Sequence, residues 1–358
     1  MARLNNLETQ YDEAVDYGIA LRKDNTEEIR MESGTTLPAS PVAGSMFLNT
    51  DTKLAYFYNG AAWKTFRGAL MEGPGAHLTD ASWGALGDGN SICFDGTDTI
   101  YALRGGAVSF SKYSISGGGW TALTDAPAAI GTGACLVFTT GYIYTGRGGE
   151  TNTFYRYDIA GNSWSTMTNI TSNITIGSKA VYDGSDYIYL TSGNRAMFDK
   201  DKFYRYSISG NSWTALTDTP VDCTDDAAIG FDNDDTIFFT PGSSASVYEY
   251  GITAGTWGGS PMSLSATLPA HPSCFICSGS KIYILCNGTL WSYPLTGTTW
   301  TPVAQSYEPM VDNGDAVYIG DPDNFIIYTK GDGSDDLYNI PLSIASSIDY
   351  GAWALGLK

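Results

Sequence analysis

FYRYDIAGNSW at residues 154–164 returns almost letter for letter as FYRYSISGNSW at 203–213. Looser copies read FSKYSISGGGW at 110–120, VYEYGITAGTW at 247–257 and LWSYPLTGTTW at 290–300. Each copy carries a Tyr–Trp pair seven positions apart: Tyr113/Trp120, Tyr157/Trp164, Tyr206/Trp213, Tyr250/Trp257 and Tyr293/Trp300. The tryptophans recur after 44, 49, 44 and 43 residues, a mean of 45. A fixed period of this length marks a supersecondary unit that buries its apolar faces by stacking on its neighbours.

Ahead of each pair runs a strand–turn–strand stretch, as in CLVFTT-GYIYTGRGG, AVYDGSD-YIYLTSGN and CFICSGS-KIYILCNG. The turns use Gly, Asp, Asn and Ser, which tolerate tight hairpin geometry. One period therefore predicts four antiparallel strands: an apolar first, an apolar second, the Tyr strand, and a short outer Trp strand. A sixth copy, AVYIGDPDNFIIYTKGDGSDDLYNIPL, occupies 316–342. The expectation is an all-β chain with a six-bladed β-propeller over residues 73–358. Its ring is closed either by the segment around Trp83 (ASWGAL) or by Trp353, which an insertion displaces; the match of ASWGAL to NSWTAL favours Trp83. The repeat tryptophans, Trp164 and Trp213 among them, belong between neighbouring blades.

The doublets Gly105-Gly106 and Gly148-Gly149, followed by the Tyr and the later Trp, resemble the kelch repeat, and Tyr157-Asp158 reproduces its Tyr-Asp step. The resemblance spans about 280 residues. The doublet decays to Ser192-Gly193, Pro241-Gly242 and Asn287-Gly288, so the copies are divergent and the resemblance implies fold rather than activity. Composition agrees: 42 glycines in 358 residues and 13% aromatics suit short strands and many turns, and exclude an all-α protein.

Residues 1–72 do not share the repeat. An N-terminal arm over 1–33 places Leu4, Leu7, Tyr11, Ala14 and Leu21 at near-helical spacing, interrupted by Gly18. Residues 34–72 form a small β-module in which FLN-TDTK-LAYFYNG-AAWKTF predicts a three-strand meander. Pro41, Gly44, Phe47, Asn49, Thr50, Asp51, Thr52, Tyr56, Tyr58, Gly60 and Trp63 resemble a module recurring in phage tail-fibre and other virion appendage proteins. That likeness implies a phage virion protein, a fibre, collar or decoration component. Such a protein would be anchored to other virion proteins through residues 1–72 and oligomeric in the particle.

The charge pattern narrows the partners. A net charge of −19 repels phosphate backbones, so nucleic acid is not expected as a partner. No run approaches the ~18–20 apolar residues of a membrane span, and the N-terminus lacks an apolar signal region. Virion localisation after assembly in the host cytoplasm is the expectation.

Candidate chemistry is thin. Cys93, Cys135 and Cys274 lie at similar places in apolar strands and read as buried thiols, and the Cys274/Cys277 pair lacks a second pair for zinc. The histidines, His77 in the linker and His271 in a loop, do not pair into the copper site of galactose-oxidase-like enzymes, which share the kelch fold. Arg104 and Arg147 each follow a second strand and are candidates for an anion contact. Arg156 and Arg205 sit beside repeat tyrosines and read as blade positions. Asp-rich turns at 232–235, 321–323 and 332–336 could offer oxygens to calcium, but Asp with Gly is also ordinary turn chemistry. No catalytic residue, cofactor or metal ligand is assigned. The leading reading is a non-enzymatic virion protein attaching to a host-surface glycan or protein; the alternatives are a glycan-binding lectin-like propeller, an oxidase, a glycan hydrolase or a cellular scaffold.

Overall fold

The structure is a computed structural model that describes residues 87–194, 200–242, 244 and 246–259, together with the strands outside those ranges and Asp315. The chain divides into a unit of residues 1–77 and a unit of residues 78–358. The near-helical stretch from Leu4 to Leu21, Trp83 and Trp353 lie outside the described residues.

In the first unit, β1 (Met31–Gly34), β2 (Met46–Asn49), β3 (Ala55–Tyr58) and β4 (Trp63–Thr65) form one sheet in that order. The last three strands make an antiparallel meander on the stretch where the sequence predicts one. β1 adds to it in parallel, Met31 beside Met46, and falls partly on the stretch assigned to the arm.

The second unit is all-β in its described part, and its sheets have a β-propeller-like arrangement. Its strands begin with β5 (His77–Asp80). Four sheets then follow one plan: β6 (Ser91–Phe94) to β9 (Gly119–Ala122) through β7 (Thr99–Leu103) and β8 (Phe110–Ser114); β10 (Cys135–Thr139), β11 (Tyr142–Gly146), β12 (Phe154–Asp158) and β13 (Ser163–Thr166); β14 (Ala180–Tyr182), β15 (Tyr187–Thr191), β16 (Phe203–Ser207) and β17 (Ser212–Ala215); β18 (Ala228–Phe231), β19 (Thr236–Thr240), β20 (Ser246–Gly251) and β21 (Thr256–Trp257), with β22 (Met262–Ser263) also on β20. Further along come β23 (Pro272–Ser278), β24 (Lys281–Cys286), β25 (Thr289–Pro294) and β26 (Thr301–Gln305), then β27 (Ala316–Ile319), β28 (Phe325–Thr329) and β29 (Asp336–Pro341).

The outer strand beside β29 is β5, so the chain's beginning completes the sheet at its end. His77, expected in a linker, stands in that strand. A sheet completed this way leaves β29 without an open edge. The first strands of successive sheets are neighbours, from β6 through β10, β14, β18 and β23 to β27, and β27 in turn neighbours β6.

Burial follows radial position. Second strands such as TIYAL, YIYTG and YIYLT are buried at every position after the first, because sheets cover both of their faces. This explains their continuous apolar runs, where a half-buried strand would alternate. The fourth strands are exposed except at the tryptophan.

The Tyr and Trp of each pair stand directly opposite on the third and fourth strands: Tyr113 by Trp120, Tyr157 by Trp164, Tyr206 by Trp213 and Tyr250 by Trp257. Their ring centroids lie 5.0–5.4 Å apart. Each of the indoles of Trp164, Trp213 and Trp257 also meets an aromatic of the preceding sheet, Phe110 at 5.0 Å, Phe154 at 4.9 Å and Phe203 at 5.2 Å. Its Nε1 donates to a carbonyl in the segment leaving that sheet: Trp164 to Thr124, Trp213 to Thr168 and Trp257 to Thr217. The tryptophans thus staple neighbours together through packing and a hydrogen bond. Tyr293 is buried on β25, and Trp300 lies outside the described residues.

Candidate functional site

The first strands surround a central cavity of about 450 Å3. Cross-strand register sorts its lining into layers. Ser91, Cys135, Lys179, Ala228 and Asp315 occupy the same position in their respective sheets, at the end where the first strands start. Cys274 has this register too, whereas Cys93 stands two positions further on. The cysteines that look alike in sequence therefore belong to different layers.

Lys179 and Asp315 precede β14 and β27, which stand three steps apart in the succession of neighbouring first strands. Lys179 Nζ stands 3.7 Å from Asp315 Oδ1, so the ion pair joins two sheets that are not consecutive in sequence. Asp315 is further held by Ser91 Oγ at 2.8 Å and the Ile92 and Ala316 amides at 3.0 Å each. Ser91 Oγ in turn accepts the Leu136 amide at 3.0 Å, which ties a third sheet into the network. Thr329 Oγ1 donates to Asn90 Oδ1 at 3.0 Å, so buried polar bonds join the sheet of β27–β29 to that of β6–β9. Lys179 makes no hydrogen bond through its ammonium among the described residues.

Below this layer the walls are apolar: Ile92, Leu136, Val137, Val181, Ile229 and Val317. At the other end Phe94, Phe138, Tyr182 and Phe231 share one register position and stay half-buried. Cys93 and Cys135 are buried free thiols beside the cavity. Burial pushes Cys135 up to about 11 and Cys93 well above the ordinary thiol value, so neither is a thiolate nucleophile at neutral pH.

Beyond the ion pair, tight turns lead into the first strands. Gly131–Ala134, Thr175–Ser178 and Thr224–Ala227 each close with an amide-to-carbonyl bond of 2.9–3.2 Å. A Cβ on Gly133 would stand 1.7 Å from the Thr175 carbonyl oxygen of the next turn, and Gly133 has φ +79°. Only glycine permits both this backbone shape and this approach.

The other candidates have structural uses. Arg147 Nε donates to the Ala129 carbonyl at 3.0 Å, across the boundary between two sheets. Arg104 follows β7 at the same end of the ring. Arg156 and Arg205 lie 4.6 and 4.3 Å from the ring centroids of Tyr142 and Tyr187 on the adjacent strand, a cation–π arrangement. The aspartates of the Asp-rich turn at 232–235 serve the fold. Asp232 accepts the amides of Asp234 and Thr236, and Asp235 accepts the amide and hydroxyl of Thr253.

This two-aspartate pattern recurs, unnoticed in the sequence, at Asp95/Asp98 and Asp183/Asp186. In each, the first aspartate caps its own hairpin. The second holds the turn between third and fourth strands, through Ser114 and Ser116 or Ser207 and Ser209. Burial raises the Asp95 carboxyl, but bonds from Thr99 and Thr97 outweigh it and hold it below its ordinary value. The Ser209 amide and Ser207 hydroxyl likewise hold Asp186 low. The turns at 321–323 and 332–335, and His271, lie outside the described residues; Asp336 begins β29. Among the described residues no group of three His, Cys, Asp or Glu side chains is placed to hold a metal. The chain matches no protein-family model and no curated protein.

Proposed function

We propose that this chain is a non-enzymatic structural protein of a phage particle, a fibre, collar or decoration component, and that its second unit is a six-bladed kelch-like propeller. Residues 1–72 attach it to other virion proteins, and the propeller engages a host-surface glycan or protein. The observation that carries the reading is the meander of β2, β3 and β4, which falls on the stretch whose residues resemble the virion-appendage module. The blade count is supported by the closed succession of first strands from β6 to β27.

The test is incorporation. Particles purified from infected cells should contain the full chain in fixed stoichiometry, measured by quantitative mass spectrometry. A chain beginning at Gly73, which keeps β5, should fold and stay out of the particle. Equal incorporation of both would assign attachment to the propeller, and absence of the full chain from particles would refute the reading.

A further inference from the structure

We propose that the central cavity binds a small amphipathic carboxylate, an aryl or alkyl acid whose apolar body fills the cavity and whose carboxylate meets Lys179. This inference stands apart from the virion reading, since it rests on the cavity alone. Its volume of about 450 Å3 falls within the range of small-molecule sites, which run to about 300–1,000 Å3, mostly apolar with a few placed polar groups. The lining follows that division. Ile92, Leu136, Val137, Val181, Ile229 and Val317 supply apolar walls, and a half-buried aromatic layer rims the end away from the ion pair.

The charged end is asymmetric in a way that selects the sign of the ligand. Asp315 accepts from Ser91 Oγ, Ile92 N and Ala316 N, so its charge is stabilised whether or not Lys179 stays close. Among the described residues Lys179 has no such set. Its ammonium carries three donors, and the contact with Asp315, at 3.7 Å, is longer than a hydrogen bond. Its side chain is one-quarter exposed, partly desolvated yet under-bonded. A carboxylate entering from the aromatic end would give the ammonium a charge-assisted bond that the protein leaves unmade. An amine could reach only the remaining Asp315 Oδ1 site, beside the Lys179 ammonium, whose like charge opposes a cation there.

The full-length chain would be titrated with 2-naphthoate and with decanoate by isothermal calorimetry, and with 2-naphthylmethanol as the neutral analogue of the first. Saturable 1:1 binding of a carboxylate is expected, with the alcohol weaker by about tenfold, which corresponds to about 1.4 kcal/mol. Lys179→Met should lose a similar factor, and Lys179→Arg should retain binding. Val181→Trp keeps the lysine but fills the cavity, and should abolish binding while near-ultraviolet circular dichroism stays native. The proposal is overturned if neither acid saturates below about 1 mM. Equal binding of acid and alcohol, or undiminished binding by the folded Trp variant, would overturn it as well.

Discussion

Asn211 carries two jobs on one side chain, and its replacement separates them. It stands two residues before Trp213 at φ +46°, in the left-handed region. Its Oδ1 accepts the Tyr206 hydroxyl at 2.7 Å and the Thr168 amide at 3.0 Å. Thr168 belongs to the segment leaving the preceding sheet, so a single amide oxygen joins two sheets. Asn211→Ala strands a hydroxyl whose residue is fully buried, a cost of about 1–3 kcal/mol. It also places a Cβ-bearing residue without local polar support in the left-handed region, at roughly 1–2 kcal/mol. We expect a loss of about 3 kcal/mol. Asn211→Gly loses the same bonds but relaxes the backbone, so it should lose about 2 kcal/mol. Tyr206→Phe removes the donor along with the bond and should cost about 1 kcal/mol. Urea unfolding followed by tryptophan fluorescence, with a double-mutant cycle of Asn211→Gly and Tyr206→Phe, measures each part. Equal losses for the Ala and Gly variants would remove the backbone contribution. Additivity in the cycle would show that the hydroxyl–amide bond contributes nothing, and the reasoning would fail.

The other expectations can be checked with similar measurements. Trp213→Ala should cost about 3 kcal/mol, the low end for truncating a large aromatic, because the ring is only half-buried; an unshifted urea midpoint would contradict its stapling role. Gly133→Ala should fail to give a soluble native chain, or melt far below wild type in a thermal scan, because its Cβ would overlap the Thr175 carbonyl. Asp95 and Asp186 have folded values below their unfolded ones, so their stabilisation is present above about pH 4 and is lost as pH falls through the folded values. Asp186→Asn should therefore flatten the acid limb of the stability–pH curve, and an unchanged limb would show that its serine bonds do not persist in solution.

The parts of this fold that were legible in sequence are those that local chemistry dictates. The Tyr–Trp spacing of seven gives a third strand, a turn and a fourth strand, and the structure pairs those residues directly. Asn162 and Asn211 are readable too, from the position two before each tryptophan: Gly118, Asn162, Asn211 and Gly255 all take positive φ. The two-aspartate hairpins were visible as well, but as turn chemistry they resemble many ion-binding loops until their serine partners are located. Other features were beyond sequence reading because they depend on closure. Lys179 and Asp315 are brought together only by the tertiary arrangement of the sheets that carry them, and no periodicity links a lysine in one copy to an aspartate in another. The cysteine layers needed strand register, since Cys93 and Cys135 sit in similar apolar runs but pair with Tyr101 and Gly146 at non-equivalent steps.

The ends of the ring differ in what substitution they can absorb, and that difference bears on where binding can change. At the end where the first strands start, successive turns touch backbone to backbone: a Cβ on Gly89 would stand 2.2 Å from the Gly131 oxygen, and one on Gly177 2.0 Å from the Thr224 oxygen. Among the described turns each is the wall of the next, so a side chain added to one must displace its neighbour. At the opposite end, Gly96 and Gly184 meet nothing within 4 Å. Their hairpins are held internally by Asp95 and Asp183. The aromatic layer of Phe94, Phe138, Tyr182 and Phe231 belongs to this second end. Among the described turns, backbone-to-backbone contacts beside an ion pair at one end and internally capped hairpins at the other confine structural demand to one end. Side chains at the other are free to set what enters the cavity.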